Sequence, residues 1–408
     1  MNRIYNFLHS VILIVLSVSM ANNIKAQSSI PPLSDVAHVS LLTFDPGTEA
    51  YTVWGHTAIR IRDEARGMDV VFNYGTFDFD EPYFLLKFLR GKLNYSLSFA
   101  PLDKVLYYYK HYKRGIHEQV LNLSPEEKNR LYNLLLENYK PENRYYKYDF
   151  FFDNCSTRPL NILEKSIDGK LILGQSKDRY TFRELLDNQI KDYKWLDFGI
   201  DLIIGNKADK IPTDKQSAFL PLNLMHRISK AKIQIATPGI LSSRNAPTNA
   251  TTKPLVIKEK TILKFKNKAK ATPWFISPIW IFTYLFLLEI VIFYFSYRKG
   301  QILYKRYDFL WFFIAALGGL IIVFLWFFTD HQATKNNWNL LWLNPLYILL
   351  FFRKTRKAAA YILNILLFIT LVAYSFIPQQ LHPASIPIMG LLMLKVAKYG
   401  LLKEYFSS

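Results

Sequence analysis

The chain has 408 residues, of which 50% are hydrophobic and 20% charged, and its formal net charge is +19. This length allows two or three domains of ordinary size, and a mean hydropathy of +0.05 suggests a soluble part joined to a membrane part. The single cysteine excludes an intramolecular disulfide framework and any cysteine-rich metal site. The positive charge is spread along the chain, without a single basic arm.

Residues 1–26 are typical of a secretory signal peptide. Arg3 supplies the basic start, an apolar run extends from Val11 to Met20, and the small Ala26 precedes the predicted cleavage site. An uncleaved anchor is the alternative interpretation. In either case the segment that follows is expected to be exported.

Residues 27–241 are predicted to form an exported α+β domain. Alternating apolar and polar residues predict strands at 36–44, 57–62 and 70–74. Helices are predicted at about 102–112, 125–138, 157–167 and 181–189, the second with Ser124 as its N-cap. Residues 242–273 are predicted to be a linker and a basic juxtamembrane segment. Its lysines from Lys258 to Lys270 could lie against anionic lipid head groups or form a solvated surface.

Residues 274–408 are predicted to form an α-helical membrane bundle of five spans. Four apolar stretches lie at 274–297, 309–329, 358–377 and 386–402, and a shorter one at 338–352 is interrupted by Asn344 and Pro345. Basic clusters at 298–306 and 353–357 place those loops in the cytoplasm and the exported domain outside. This topology excludes nucleic acid as a partner. Glu289 is expected to face the bundle, because a lipid-facing carboxylate is costly.

The single thiol, Cys155, is the first candidate for chemistry. It lies in Asp-Asn-Cys-Ser-Thr-Arg-Pro (153–159), where the polar side chains and Pro159 predict the start of a helix. The positive end of a helix lowers the pKa of a thiol and favours the nucleophilic thiolate. The alternative is a small buried residue without chemistry.

A thiolate nucleophile needs a base, and His56 is the histidine in the most constrained setting. Gly55 permits a tight turn into the strand that begins near His56, and Asn73 on the next strand would lie beside it in a hairpin. The eight histidines form no close ligand pair along the chain, so no metal site is predicted.

Three segments together resemble a known family: WGHTAIRI (54–61), VFNYGTFDF (71–79) and FFDNCSTRPLNIL (151–163). They look like the periplasmic domain of the Lnb-type bacterial lipoprotein N-acyltransferases, and the five-span tail fits the same type. More distantly they resemble a circularly permuted NlpC/P60 (papain-like) hydrolase. The resemblance implies a papain-like exported domain with Cys155 as nucleophile, His56 as general base and Asn73 as the third polar residue. It implies no cofactor.

The resemblance also implies a reaction. A fatty acyl chain would move from a membrane phospholipid, through a thioester on Cys155, to the N-terminal amine of a diacylated lipoprotein. The residues expected to bind these substrates are Trp54, Tyr74, Arg158, His331 and Asn344. The expected location is the bacterial inner membrane, with the catalytic domain in the periplasm. The alternatives are a membrane-tethered cysteine hydrolase of cell-wall peptides and a non-catalytic envelope sensor.

Overall fold

The computed structural model describes residues 31–49, 51–175, 179–235, 251–266 and 271–402. The predicted signal peptide lies outside these ranges, as do residues 242–250 and 267–270 of the predicted linker and juxtamembrane segment. The statements below concern the described residues.

Two antiparallel sheets organise the N-terminal part of the chain. The ten strands are β1 (His38–Phe44), β2 (His56–Asp63), β3 (Met68–Thr76), β4 (Asn94–Pro101), β5 (Ile116–Leu121), β6 (Tyr145–Lys147), β7 (Lys170–Ile172), β8 (Lys232–Gln234), β9 (Thr252–Pro254) and β10 (Val256–Leu263). The large sheet has the order β10-β5-β1-β2-β3-β4-β6, and the small one has the order β7-β8-β9. The three predicted strands correspond to β1, β2 and β3, which pair in sequence.

Helices surround these sheets. They are α1 (Phe84–Leu89), α2 (Leu102–His111), α3 (Pro125–Tyr139), α4 (Thr157–Ser166), α5 (Phe182–Ile190), α6 (Lys194–Ile203) and α7 (Pro221–Ser229). The predicted cap of α3 is present, because Ser124 and Glu127 form a reciprocal capping box, and Thr181 and Glu184 do the same for α5. Apolar side chains of β1 and β2, such as Leu41 and Ile59, form one core with α3, α4 and α7.

The first part of the predicted basic juxtamembrane segment, with Lys258 and Lys260, lies in the edge strand β10. This strand pairs antiparallel with β5, and Lys260 Nζ lies 2.9 Å from Glu118 Oε2. Residues at every second position of a strand point to one face, and lysines are common on edge strands. The alternating lysines that suggested a basic segment beside the membrane therefore also fit an edge strand. The linker predicted for 242–273 therefore does not extend through 252–263, which belongs to the two sheets.

Three helices after residue 271 are long and apolar enough to cross a membrane: α8 (Pro278–Lys299), α9 (Lys305–Phe327) and α10 (Arg353–Val372). A fourth apolar helix, α11 (Ser385–Leu401), has 17 residues and packs against α8 and α10. It is about 26 Å long, somewhat shorter than the hydrocarbon core of a typical bilayer. The span predicted at 338–352 consists instead of two 3₁₀ helices, Trp338–Leu341 and Pro345–Phe351.

The break between these 3₁₀ helices packs tightly against α9. A Cβ atom on Gly319 would lie 2.5 Å from Asn344 Cα, so only glycine permits this approach. Asn344 Oδ1 accepts a hydrogen bond from the Leu346 N–H (3.1 Å) and thereby begins the second 3₁₀ helix. Asn344 and Pro345 therefore interrupt the segment 338–352 with a tightly packed turn.

Four charged side chains are fully buried inside the bundle. Glu289 of α8 lies 2.6 Å from Lys395 and 2.9 Å from Lys398 of α11. Asp308 of α9 contacts the same two lysines at 3.0 and 2.8 Å. Glu289 thus faces the bundle, and the charges of the two acids and two bases balance.

The exported part and the bundle meet along a polar seam. Gly205, just after α6, donates its N–H to the Ala333 carbonyl (2.8 Å). The side-chain amides of Asn337 and Asn339 donate to the carbonyls of Leu202 and Asp201, each at 2.8 Å. The outer-face polar cluster at 330–339 is therefore largely engaged in joining the two parts of the chain.

Candidate active site

Cys155 lies two residues before the first residue of α4, close to the helix start predicted from its local sequence. Asn154 Oδ1 accepts hydrogen bonds from the backbone N–H groups of Ser156 (2.8 Å) and Thr157 (2.9 Å), which satisfies two free donors at the start of the helix. The Asn154 amide donates to the carbonyls of Phe150 and Phe219. This buried asparagine therefore fixes the turn that carries the thiol, and Cys155 itself is 8% exposed.

His56 is the first residue of β2, and its ring contacts both other residues of the predicted triad. Its Nε2 is hydrogen-bonded to Asn73 Oδ1, while the Asn73 amide donates to Thr76 Oγ1 at 3.3 Å. Because an amide oxygen only accepts, Nε2 carries the proton, and Nδ1 is left for the hydrogen bond that His56 makes with Cys155. Gly55 adopts φ +81°, and a Cβ atom there would lie 2.7 Å from the Phe44 carbonyl.

The electrostatics of this pair favour an ionised thiol. Burial raises the pKa of Cys155, but the charge of His56, its hydrogen bond and the Thr57 N–H outweigh burial, so the pKa of the thiol is lowered. Burial lowers the pKa of His56, but the charge and hydrogen bond of Cys155 and the hydrogen bond of Asn73 leave the pKa raised. A thiolate beside an imidazolium is the form of the pair that can attack a carbonyl carbon.

Two further groups hold the thiol, and sequence reasoning missed both. The Thr57 backbone N–H donates to Cys155, which needs no particular side chain and so leaves no signal in the sequence. The Tyr148 hydroxyl also hydrogen-bonds Cys155, and burial followed by the nearby thiolate raises the pKa of that tyrosine well above its usual value. Tyr148 stands in an aromatic-rich run, Tyr145–Phe152, in which no single ring is distinguished by pattern.

Three residues predicted to bind substrate lie near the thiol. The Trp54 ring packs edge-on against Phe150 at 5.0 Å between ring centroids, and its Nε1 is buried without a hydrogen-bond partner. The Tyr74 hydroxyl is likewise buried and unpaired. Arg158 is engaged: it forms two hydrogen bonds to Asp153, at 2.6 and 2.7 Å, and lies 3.4 Å above the Tyr146 ring. Its guanidinium therefore helps to fix the loop before Cys155.

The other two predicted binding residues lie elsewhere. His331 Nε2 donates to the Phe88 carbonyl at 3.0 Å, and Asn344 begins a 3₁₀ helix inside the bundle. Within the described ranges no hydrogen bond connects either residue to His56, Asn73 or Cys155. Both residues were predicted on the same side of the membrane as the thiol, but each makes structural contacts elsewhere.

Three carboxylates gather at the side of the domain that faces the bundle. Oxygens of Asp187, Asp197 and Asp201 lie within 4.8 Å of one another. Burial followed by the neighbouring carboxylates raises the pKa of Asp187 to about 8, while Arg183 pairs with Asp201. Asp187 thus stays protonated at neutral pH and reduces the repulsion in this cluster. The sequence had predicted no metal ligands, and these acids are brought together only by the packing of α5 and α6.

Comparison with known families agrees with this architecture. Residues 30–188 match the family model described as the Lnb N-terminal periplasmic domain, and residues 270–405 match the one described as the Lnb transmembrane domain. The two matches together cover well over half of the chain. The chain belongs to the Lnb type.

The family match establishes the coarse organisation of this Lnb-type protein. It is a membrane protein with a periplasmic domain, and His56, Asn73 and Cys155 all fall inside the matched periplasmic region. The Lnb transmembrane match includes α8 to α11 and both 3₁₀ helices. No curated protein and no solved structure matches the chain.

Proposed function

We propose that this Lnb-type protein is a lipoprotein N-acyltransferase with Cys155 as its nucleophile. The observation that carries the proposal is the Cys155–His56 pair, at a helix N-terminus, in a periplasmic domain joined directly to a membrane bundle. The order of the histidine strand before the cysteine helix, and the Asn73 contact to His56, support a permuted papain-like site. The proposed location is the inner membrane, and five crossings remain the proposed topology.

In the first step, the Cys155 thiolate attacks an ester carbonyl carbon of a membrane phospholipid. The tetrahedral intermediate collapses with cleavage of the acyl–oxygen bond, and His56 gives its proton to the departing glycerol oxygen. The products are a thioester on Cys155 and a lysophospholipid. Asn73 keeps the His56 ring oriented, because its amide oxygen holds the Nε2 proton.

In the second step, the free α-amine of a diacylglyceryl-cysteine lipoprotein attacks the thioester carbonyl. His56, now neutral, accepts a proton from the amine, and Cys155 departs as the thiolate. The amide bond that forms completes the third acylation of the lipoprotein and restores the starting pair. A thioester suits this step because it acylates an amine more readily than an ester does.

The test is the acylation state of lipoproteins in cells that depend on this protein. Replacing Cys155 with Ala should leave lipoprotein N-termini diacylated with a free amine, as read by mass spectrometry of N-terminal peptides. His226→Gln is a matched control, because His226 lies on α7 and has no hydrogen bond to the thiol. Triacylated lipoproteins in the Cys155→Ala strain would disprove the proposal. Release of peptides from purified peptidoglycan by the wild-type protein would favour the cell-wall hydrolase instead.

A further inference from the structure

Helix α1 is apolar on every side, yet much of it is exposed. Its sequence is Phe-Leu-Leu-Lys-Phe-Leu, and Leu85 is 65% exposed. The one charged residue, Lys87, is paired with Glu81 at 2.7 Å. A helix that is hydrophobic all round normally lies in an apolar environment, so this exposed surface needs an occupant.

The chain around α1 is fastened to the outer end of a membrane span. The Asp330 N–H donates to the Arg90 carbonyl at 2.9 Å, and His331 donates to the carbonyl of Phe88 at 3.0 Å. Gly91, with φ +66°, makes this approach possible, because a Cβ atom there would lie 3.2 Å from the His331 backbone nitrogen. His331, which the sequence suggested as a substrate ligand, thus anchors α1.

The exposed apolar surface of α1 continues that of α9. Asp330 follows the end of α9 by three residues, and Phe327 and Phe328 at that end are exposed as well. Tyr83, which precedes α1, is the kind of aromatic residue enriched at membrane–water interfaces. This continuity with a membrane-spanning helix identifies the occupant as lipid.

Aromatic rings connect α1 with the thiol. Tyr148, which hydrogen-bonds Cys155, lies 4.6 Å from Tyr95 between ring centroids, and Tyr95 lies 5.3 Å from Phe77. Phe77 stacks on Phe84 at 5.9 Å, and Phe84 stacks on Phe88 at 6.1 Å. We call these five rings the aromatic track. All five are partly exposed, so the track forms a surface along which an acyl chain could be held.

We infer that α1 inserts into the outer leaflet of the membrane and that the aromatic track receives an acyl chain of a diacyl phospholipid there. The chain would lie along the rings with its ester carbonyl at Cys155 and its methyl end toward α1, so that the glycerol and head group stay beside the thiol. The route to Cys155 rests on the proposed acyltransferase function. Insertion of α1 does not, because it follows from exposure and attachment alone.

Insertion is tested without any activity measurement. In full-length protein carrying Cys155→Ser, the substitution Leu85→Cys provides one site for a fluorescent label, in vesicles of phosphatidylcholine and phosphatidylglycerol. Lipids brominated on their acyl chains should quench this label. Val36→Cys is the matched control, because Val36 is also an exposed apolar residue (56%). It lies just before β1, whose first residue His38 pairs with Arg62, at the end of β2 that is remote from the thiol. If brominated lipids quench neither the label at position 85 nor the label at position 36, α1 does not insert and the inference is wrong.

The route is tested with Leu86→Asp in otherwise unaltered protein. Acylation of Cys155 by vesicle phospholipid should fall at least tenfold, while alkylation of Cys155 by water-soluble iodoacetamide keeps the wild-type rate. Val36→Asp should leave both rates unchanged. Undiminished acylation in Leu86→Asp overturns the route, and loss of alkylation would instead indicate a misfolded variant, for which Phe88→Ser is the second test.

These outcomes separate the two proposals. A quenched Leu85 label with no acyl group on wild-type Cys155 means that the acyltransferase function is wrong although α1 inserts. A label that lipid does not quench but that responds to a soluble diacylated lipopeptide means that α1 binds the lipoprotein, and the inference is wrong. A quenched label with an acylated, Leu86-dependent Cys155 supports both.

Discussion

At the residue scale, the lowered pKa of Cys155 depends on two elements that are distant in sequence. The start of α4 presents the thiol through Asn154, and the start of β2 presents His56 and the Thr57 N–H. Gly75 of β3, whose neighbour is Cys155, adopts φ +94°, a left-handed conformation that favours glycine. The pKa of the thiol is therefore a property of the folded domain.

The first prediction concerns the pH dependence of Cys155 alkylation by iodoacetamide. The pKa of the folded thiol is lowered, so the wild-type thiolate is present below the usual thiol pKa of about 8.5 and is lost only as the pH falls through the lowered value. His56→Gln removes the positive partner, and the alkylation rate at pH 7 should fall about tenfold for each unit of pKa recovered.

His111→Gln is the control for this experiment, because His111 is an exposed residue at the end of α2 and does not touch the thiol. Its pH profile should match that of the wild-type protein. A profile for His56→Gln that coincides with the wild type would show that His56 does not stabilise the thiolate.

The sequence was sufficient to predict the core of this site and insufficient for its periphery. Cys155, His56 and Asn73 stand in local contexts that indicate a helix start and a hairpin, and local context was enough to bring them together. His331 and Asn344 were chosen by topology alone, and packing uses them elsewhere. The Thr57 N–H and Tyr148 were missed because their roles arise from tertiary contacts.

At the element scale, a fully buried ion network joins α8, α9 and α11. Glu289 contacts Lys395 and Lys398, and both lysines also contact Asp308. Removal of one buried ionic partner leaves an uncompensated charge. The bundle should therefore depend on the network even though its four charges sum to zero.

Glu289→Gln should lower the free energy of unfolding of the detergent-solubilised protein by about 3–5 kcal/mol. The measurement is a thermal or denaturant melt of the full chain, with Asp330→Asn as the control, since Asp330 is an exposed carboxylate in the loop after α9. An unchanged melt for Glu289→Gln would show that the network contributes nothing to the stability of the bundle.

The elements differed in how well the sequence predicted them. Strands β1 to β3 and helices α2 to α5 carry clear alternation, caps or acidic first turns, and their bounds differ from the predictions by a few residues. Strand β10 lies in the predicted juxtamembrane segment, whose alternating lysines fit an edge strand as well as a surface against lipid or water. Helix α1 was missed, because six residues are too few to show a periodic pattern. The interrupted span predicted at 338–352 forms two 3₁₀ helices that meet at Asn344.

At the scale of the whole molecule, the periplasmic domain and the bundle form one continuous structure. Helix α6 contributes Phe198 to the core of the bundle, and Trp195 donates its Nε1–H to the Ile276 carbonyl at 3.0 Å. The same seam includes the amides of Asn337 and Asn339. The domain that carries the thiol is therefore fixed to the bundle, an arrangement that the proposed acyltransferase function requires.

The central claim is that Cys155 carries an acyl group during the reaction. The direct measurement is intact mass spectrometry of the purified full-length protein after incubation with phospholipid vesicles and no lipoprotein acceptor. The account predicts one added fatty acyl group on the peptide that contains Cys155, removed by neutral hydroxylamine and absent in Cys155→Ser treated identically. The account would be contradicted if the purified wild-type protein never gains this adduct although cells that depend on this protein still make triacylated lipoproteins.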